Sequence, residues 1–128
     1  MNSFLNLAGR LLLAQLFLLS GFSKIMGYAG TQGYMAAKGL PGALLPLVIL
    51  LEVGGGVALV IGFQTRWVAI ALAIFSVLAA CIFHLAPGDK MQMINFMKNL
   101  SIAGGLLVVA QTGATSFSVD ARTRAGHA

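Results

Sequence analysis

The sequence predicts an all-α integral membrane protein, a four-helix bundle with a short interfacial helix between the first two spans. Three observations lead there. The chain of 128 residues is 59% hydrophobic and only 9% charged, with a mean hydropathy of +0.92. A soluble domain carries roughly 25% charge, and so few charges cannot dress a globular surface for water. The apolar residues also gather into four runs, each about 20 residues long, the length that crosses a bilayer as a helix. Finally, clusters of Gly, Pro and polar residues separate the runs, as connections should.

The first span is read at about residues 4–26, with Arg10 and Gln15 inside it. A cleavable signal peptide is the competing reading, because a basic residue precedes a Leu-rich stretch. The lack of an Ala-x-Ala-like site and the three further spans argue against it. Residues 27–42 are Gly-rich and include Pro41. Within them Thr31 to Lys38 is predicted as a short interfacial helix, with Thr31 as N-cap and Gly39-Leu40-Pro41 as its stop. Tyr28 and Tyr34 suit the headgroup level.

The second span follows at about residues 44–63. Gln64-Thr65-Arg66 is read as a tight turn. The third span runs from Trp67 to about residue 86, with Trp67 as an interfacial anchor and His84 near its far end. Pro87-Gly88-Asp89-Lys90 has the composition of a turn. The fourth span is placed at about residues 93–110. Residues 1–112 thus form one transmembrane domain, and residues 113–128 a polar tail expected to be flexible.

Four spans put both termini on one face of the membrane. Arg10, Arg66, Arg122 and Arg124 fall on that side, and Lys24, Lys38, Lys90 and Lys98 on the other. Positive-charge counting therefore ties, and the separation of arginine from lysine has no explanation at this level. The formal net charge of +5 does not point to nucleic acid, since the basic residues are dispersed and no binding motif accompanies them. Cys81 has no partner for an intrachain disulfide and none at a zinc-like spacing. No metal site is read. Met26, Met35, Met91, Met93 and Met97 gather toward the loop side, where methionine serves as a gap filler.

The residue that organises the rest is Glu52, a carboxylate near the centre of the second span. A charge there costs roughly 2.5–3.5 kcal/mol on insertion scales, so it should face the bundle and meet a cation. In the first span Arg10, Ala14, Phe17, Gly21 and Lys24 share one stripe, which should face inward. In the fourth, Lys98 shares a face with Asn95, Ser101 and Gly105. At ~1.5 Å per residue, Lys98 lies about 5 Å to the loop side of Glu52 and Arg10 about 7 Å to the terminus side. Both side chains can span such gaps, so the expectation is that Glu52 contacts Arg10, Lys98 or both. Such a cluster either fixes helix register or forms a pocket for an electron-rich group such as a quinone oxygen.

Small residues mark close helix packing in lipid. Gly54, Ala58 and Gly62 repeat every four residues as a candidate ridge. Gly55 and Gly56 lie beside Glu52, and Gly104 and Gly105 play the same part in the fourth span.

Several stretches together resemble the DoxX family. They are Arg10 to Leu13 through Phe17 to Ile25, Gly39-Leu40-Pro41, Leu51-Glu52 followed by Gly54-Gly55-Gly56, Gly62 to Arg66, and Phe96-Met97-Lys98-Asn99-Leu100 leading to Gly104-Gly105. The resemblance covers about residues 5–110. It implies a four-helix inner-membrane bundle with both termini in the cytoplasm. It carries over Arg10, Lys24, Glu52, Lys98 and Asn99 as the site positions. It also implies an accessory or anchoring subunit of a membrane oxidoreductase system, with a redox enzyme or a quinone as partner. The chain shows no haem ligand pair, iron–sulfur cysteine set or dinucleotide loop, so catalysis by this chain alone is not expected. A small oligomeric transporter and an assembly factor without ligand are the alternative readings.

Overall fold

The computed structural model describes residues 2–115 and 117–126. Four helices in it are long and apolar enough to cross a membrane: Ser3–Met26, Gly42–Ile61, Thr65–His84 and Lys90–Thr112. They are the four predicted spans, with ends shifted by a few residues. Short connections make the second, third and fourth spans successively antiparallel. The first packs closely on the second, and the third on the fourth, with lighter contacts joining the two pairs. The shared core holds Ala14, Phe17, Leu59, Leu72, Leu106 and neighbouring small residues. Much of the remaining apolar surface, including Leu12, Leu19, Leu47 and Leu107, points outward, as a lipid-facing surface should.

Two spans are not uniform α-helices. The second begins with a 3-10 turn at Gly42–Leu44 and widens into a π-helical turn at Leu50–Gly54 around Glu52. The third ends in another π-helical turn, Ala80–His84. A π turn takes more residues per revolution than an α turn and so rotates the faces on either side of it.

The connection between the first two spans contains the helix Tyr28–Ala37. It starts three residues before the expected Thr31. Thr31 is not its N-cap: the hydroxyl donates back to the Gly27 carbonyl at 3.0 Å. The stop is where the sequence placed it. Gly39 adopts φ +83°, and Gly39 N–H and Leu40 N–H return to the carbonyls of Ala36 and Met35 at 3.0 and 2.9 Å. That is a glycine-terminated helix end of the expected kind. Asp89 caps the fourth span, accepting from Gln92 N–H at 3.1 Å. The turn after the second span lies earlier than expected, at residues 62–64. Gly62 and Gln64 there have positive φ, and Thr65 already opens the third span.

The tail, read from composition as flexible, makes defined contacts on the terminus side. Helix Val119–Gly126 lies against the turn between the second and third spans. Asp120 caps the third span through both carboxylate oxygens. Oδ1 accepts from Gln64 N–H and Oδ2 from Thr65 N–H, each at 2.8 Å. A negative group at a helix N-terminus satisfies orphan donors and favours the helix dipole. One well-placed carboxylate thus ties the described part of the tail to this turn.

Candidate functional site

Glu52 points into the bundle, and its cation is Lys24. The Lys24 Nζ lies 2.7 Å from Glu52 Oε1 and donates to Ser20 Oγ at 2.8 Å. Glu52 is 1% exposed, while the Lys24 side chain keeps 27%. Gly21 brings the two together. A Cβ there would stand 2.5 Å from Val53 Cγ2 and 3.4 Å from Glu52 Cβ. The first two spans therefore pack tightly at Gly21, and Lys24, one turn on, reaches across to the carboxylate. Outside this ion pair no hydrogen bond among the described residues reaches Oε1.

The pair lies in the wall of a cavity of about 440 Å³ in the loop-side half of the bundle. Leu16, Phe17 and Ser20 line it from the first span, Leu44 and Val48 from the second, and Phe75, Ser76, Ala79, Ile82 and Phe83 from the third. Asn99 contributes from the fourth span. The helix Tyr28–Ala37 adds Thr31, Tyr34 and Met35. That helix is held in place by Tyr34 stacked on Phe83, with ring centroids 5.3 Å apart, and by Gln32 Nε2 donating to the Gly42 carbonyl at 3.2 Å. His84 also lines the cavity, with its Nδ1 2.7 Å from Gln92 Oε1. Both π-helical turns therefore contribute to one chamber, one through Glu52 and the other through Ile82, Phe83 and His84. The lining is mostly apolar, with a small set of polar groups, the usual character of a small-molecule site.

Two of the expected partners are elsewhere. Arg10, fully buried, turns toward the terminus side. Its Nη1 donates to the carbonyls of Leu59 and Val60 at 2.9 and 3.3 Å, Nη2 to Phe117 at 3.2 Å, and Nε to Asn6 Oδ1 at 3.0 Å. Asn6 Nδ2 in turn donates to the Gly113 carbonyl at 2.9 Å. The carbonyls at the end of the second span satisfy the guanidinium closer to its own level than Glu52 does, and Asp120 supplies the nearby negative charge. Lys98 is exposed and lies in a shallow groove with Ile94, Met97, Ser101 and Ile102. The fourth span packs mainly along the third, which leaves Lys98 on the outer surface while its neighbour Asn99 turns inward. Of the five positions Arg10, Lys24, Glu52, Lys98 and Asn99, the structure thus gathers Lys24, Glu52 and Asn99.

The separation of arginine from lysine now has a partial physical account. Arg66 repeats the Arg10 arrangement, its Nε donating to the Ala110 carbonyl at 3.0 Å in the last turns of the fourth span. Both arginines hold helix C-termini on the terminus side, where several carbonyls converge and a planar fork of donors is useful. Lys24, on the loop side, meets a single carboxylate, for which a point charge suffices.

The small residues divide as well. Gly55 packs against Leu72, and Gly56 against Leu18 and the Ala14 carbonyl. Ala58 is buried, and Gly105 faces Leu13 at ordinary contact distance. Gly54 and Gly104 have open space where a side chain would be, so neither packs a helix pair. Gly62 is not part of a ridge but the left-handed end of the second span, φ +71°, pressed against Ser118. The four-residue ridge fails because Gly54 sits inside the π turn, which shifts it out of phase with Ala58.

A bundle of four membrane spans enclosing a charged pair and an apolar chamber defines an integral membrane protein with a candidate small-molecule site. The model of the DoxX family matches residues 5–85, and the chain belongs to that family. It is 50% identical over 114 residues to inner membrane protein YqjF of Escherichia coli K12, covering 89% of this chain and 88% of that one. It is 38% identical over 123 residues to inner membrane protein YphA of the same organism, covering 91% and 88%. No solved structure matches the chain.

Proposed function

We propose that this DoxX-family protein is an inner-membrane accessory subunit that holds a small amphipathic molecule, of the quinone class, for a membrane oxidoreductase system. The observation that carries the reading is the Lys24–Glu52 pair set in the wall of an otherwise apolar chamber. A buried ion pair of that kind is a weak device for stability, because desolvating both charges offsets most of their attraction. A polar headgroup that hydrogen-bonds to it, with an apolar body against Leu16, Phe17 and Phe75, would give the pair a use. The electrons would come from a partner enzyme. Among the described residues no group of three His, Cys, Asp or Glu is arranged as a metal site would need.

The test is purification from the native membrane in mild detergent, followed by mass spectrometry of extracted lipids and co-purifying proteins. Quinone near one equivalent per chain, falling several-fold in Ala79→Phe, which fills the chamber, is the expected result. Quinone at the level of the bulk membrane in both samples would count against the reading.

The same proposal includes orientation. It assigns both termini to the cytoplasm, with Arg10, Arg66 and the Arg-bearing tail on that side. A reporter fused after Ala128 should be active in its cytoplasmic form. Activity only of a periplasmic reporter would reverse the topology.

A further inference from the structure

We infer that the chamber selects a neutral ligand carrying a hydroxyl hydrogen, and binds it more tightly than the same molecule without that hydrogen. The inference deepens the reading of the chamber as a ligand site and rests on it. Glu52 lines the chamber and is almost wholly buried, and its Oε1 is the oxygen paired with Lys24. An ionised carboxylate is only an acceptor, with about four lone-pair directions, and Lys24 faces one oxygen. Lys24 balances the charge, so a ligand anion would meet the carboxylate's repulsion and a ligand cation would compete with the ammonium. A neutral ligand meets neither. A hydroxyl near Glu52 would complete a charge-assisted hydrogen bond, whereas a carbonyl or ether oxygen would present lone pairs to lone pairs. Donors for a ligand's second oxygen are also present: Lys24, with one hydrogen given to Ser20, one to Glu52 and a third left, and the Asn99 amide in the lining. The apolar remainder, from Leu16 to Phe83, sets the body as an aromatic or aliphatic skeleton. The ligand class is therefore a phenol or comparable alcohol small enough for a chamber of about 440 Å³.

The experiment compares 1-naphthol with 1-methoxynaphthalene, which share a ring system and differ in the donor. Binding is measured to the full chain in lipid nanodiscs, with empty nanodiscs subtracted for partitioning. Naphthol should bind roughly tenfold more tightly or better, the usual worth of a hydrogen bond to a charged group. Ala79→Phe should abolish binding of both, which locates the site. Glu52→Gln should shrink the preference to about threefold or less, since a neutral amide oxygen is a weaker acceptor. Glu52→Asp keeps the charge opposite Lys24 but withdraws the oxygens by one methylene, and should shift the preference the same way. Thermal melting of each variant establishes that it is folded, and Glu52→Asp carries the test if Glu52→Gln does not fold. Equal affinity for the two probes in the parent protein would overturn the donor preference and leave the ligand site standing. Failure of both probes, and of 1,4-naphthoquinone, to bind the folded parent protein would overturn the ligand-site reading and this inference with it.

Discussion

Replacing Lys24 by Met should destabilise the protein by about 3–5 kcal/mol in a detergent-to-SDS unfolding titration, the usual cost of leaving one member of a buried pair without its partner. The reason lies in the asymmetry of the pair. Lys24 is part-exposed and could find other polar company, but Glu52 has lost its water and has no other described charged partner within reach. Met matches the length and apolar stem of Lys, so lost packing contributes little. Lys24→Arg is the informative contrast. It retains the charge, yet a planar guanidinium must fit beside Gly21, where the first two spans already approach closely. It should fall between the parent and Lys24→Met. A Lys24→Met protein as stable as its parent would mean that the carboxylate is neutral or solvated and that the pair is incidental.

Arg10→Ala should have an effect of similar size, by another route. Its guanidinium joins the first span, the end of the second and the tail through the carbonyls of Leu59, Val60 and Phe117 and through Asn6. Removing it leaves several buried acceptors unsatisfied, at roughly 1–3 kcal/mol for each that water cannot reach. Arg10→Lys should rescue little, because one ammonium cannot serve carbonyls on two separate elements. Asp120→Ala should be milder, since Gln64 N–H and Thr65 N–H lie nearer the surface. Combined with Arg10→Ala it should cost less than the sum of the two, as expected of neighbours sharing one network. Full rescue by Arg10→Lys would show that charge alone holds this end of the bundle.

The sequence made the architecture legible because the bilayer leaves few choices. Span number, span order and the glycine stop after the connecting helix all follow from lengths and turn residues. The inward direction of Glu52 followed from the cost of a charge in hydrocarbon. The identity of its partner did not follow, for two reasons tied to particular residues. Depth estimates treated the second span as a regular helix, yet the π turn at Leu50–Gly54 rotates Glu52 relative to Leu59 and Gly62. The estimates also offered Arg10 only carboxylates as partners, whereas helix-end carbonyls satisfy it. One usable signal was present. The chain has three acidic residues, and Asp120 is the one on the same membrane side as Arg10. Gly21, three residues before Lys24 on the same stripe, was a second signal, since a glycine facing another helix marks where a short reach is possible. The lining by Thr31, Tyr34 and Met35 was beyond sequence reasoning, because it depends on how a ten-residue helix folds back over the bundle.

Glu52 is paired with Lys24, and Arg10 with the carbonyls at the end of the second span. Two double-mutant cycles run side by side test this pairing most directly, Glu52→Gln with Lys24→Met and Glu52→Gln with Arg10→Ala, each read as unfolding free energy in mixed detergent. A coupling of at least about 1 kcal/mol is expected between Glu52 and Lys24, and additivity within about 0.5 kcal/mol between Glu52 and Arg10. Strong coupling of Glu52 to Arg10 with additivity toward Lys24 would contradict this pairing.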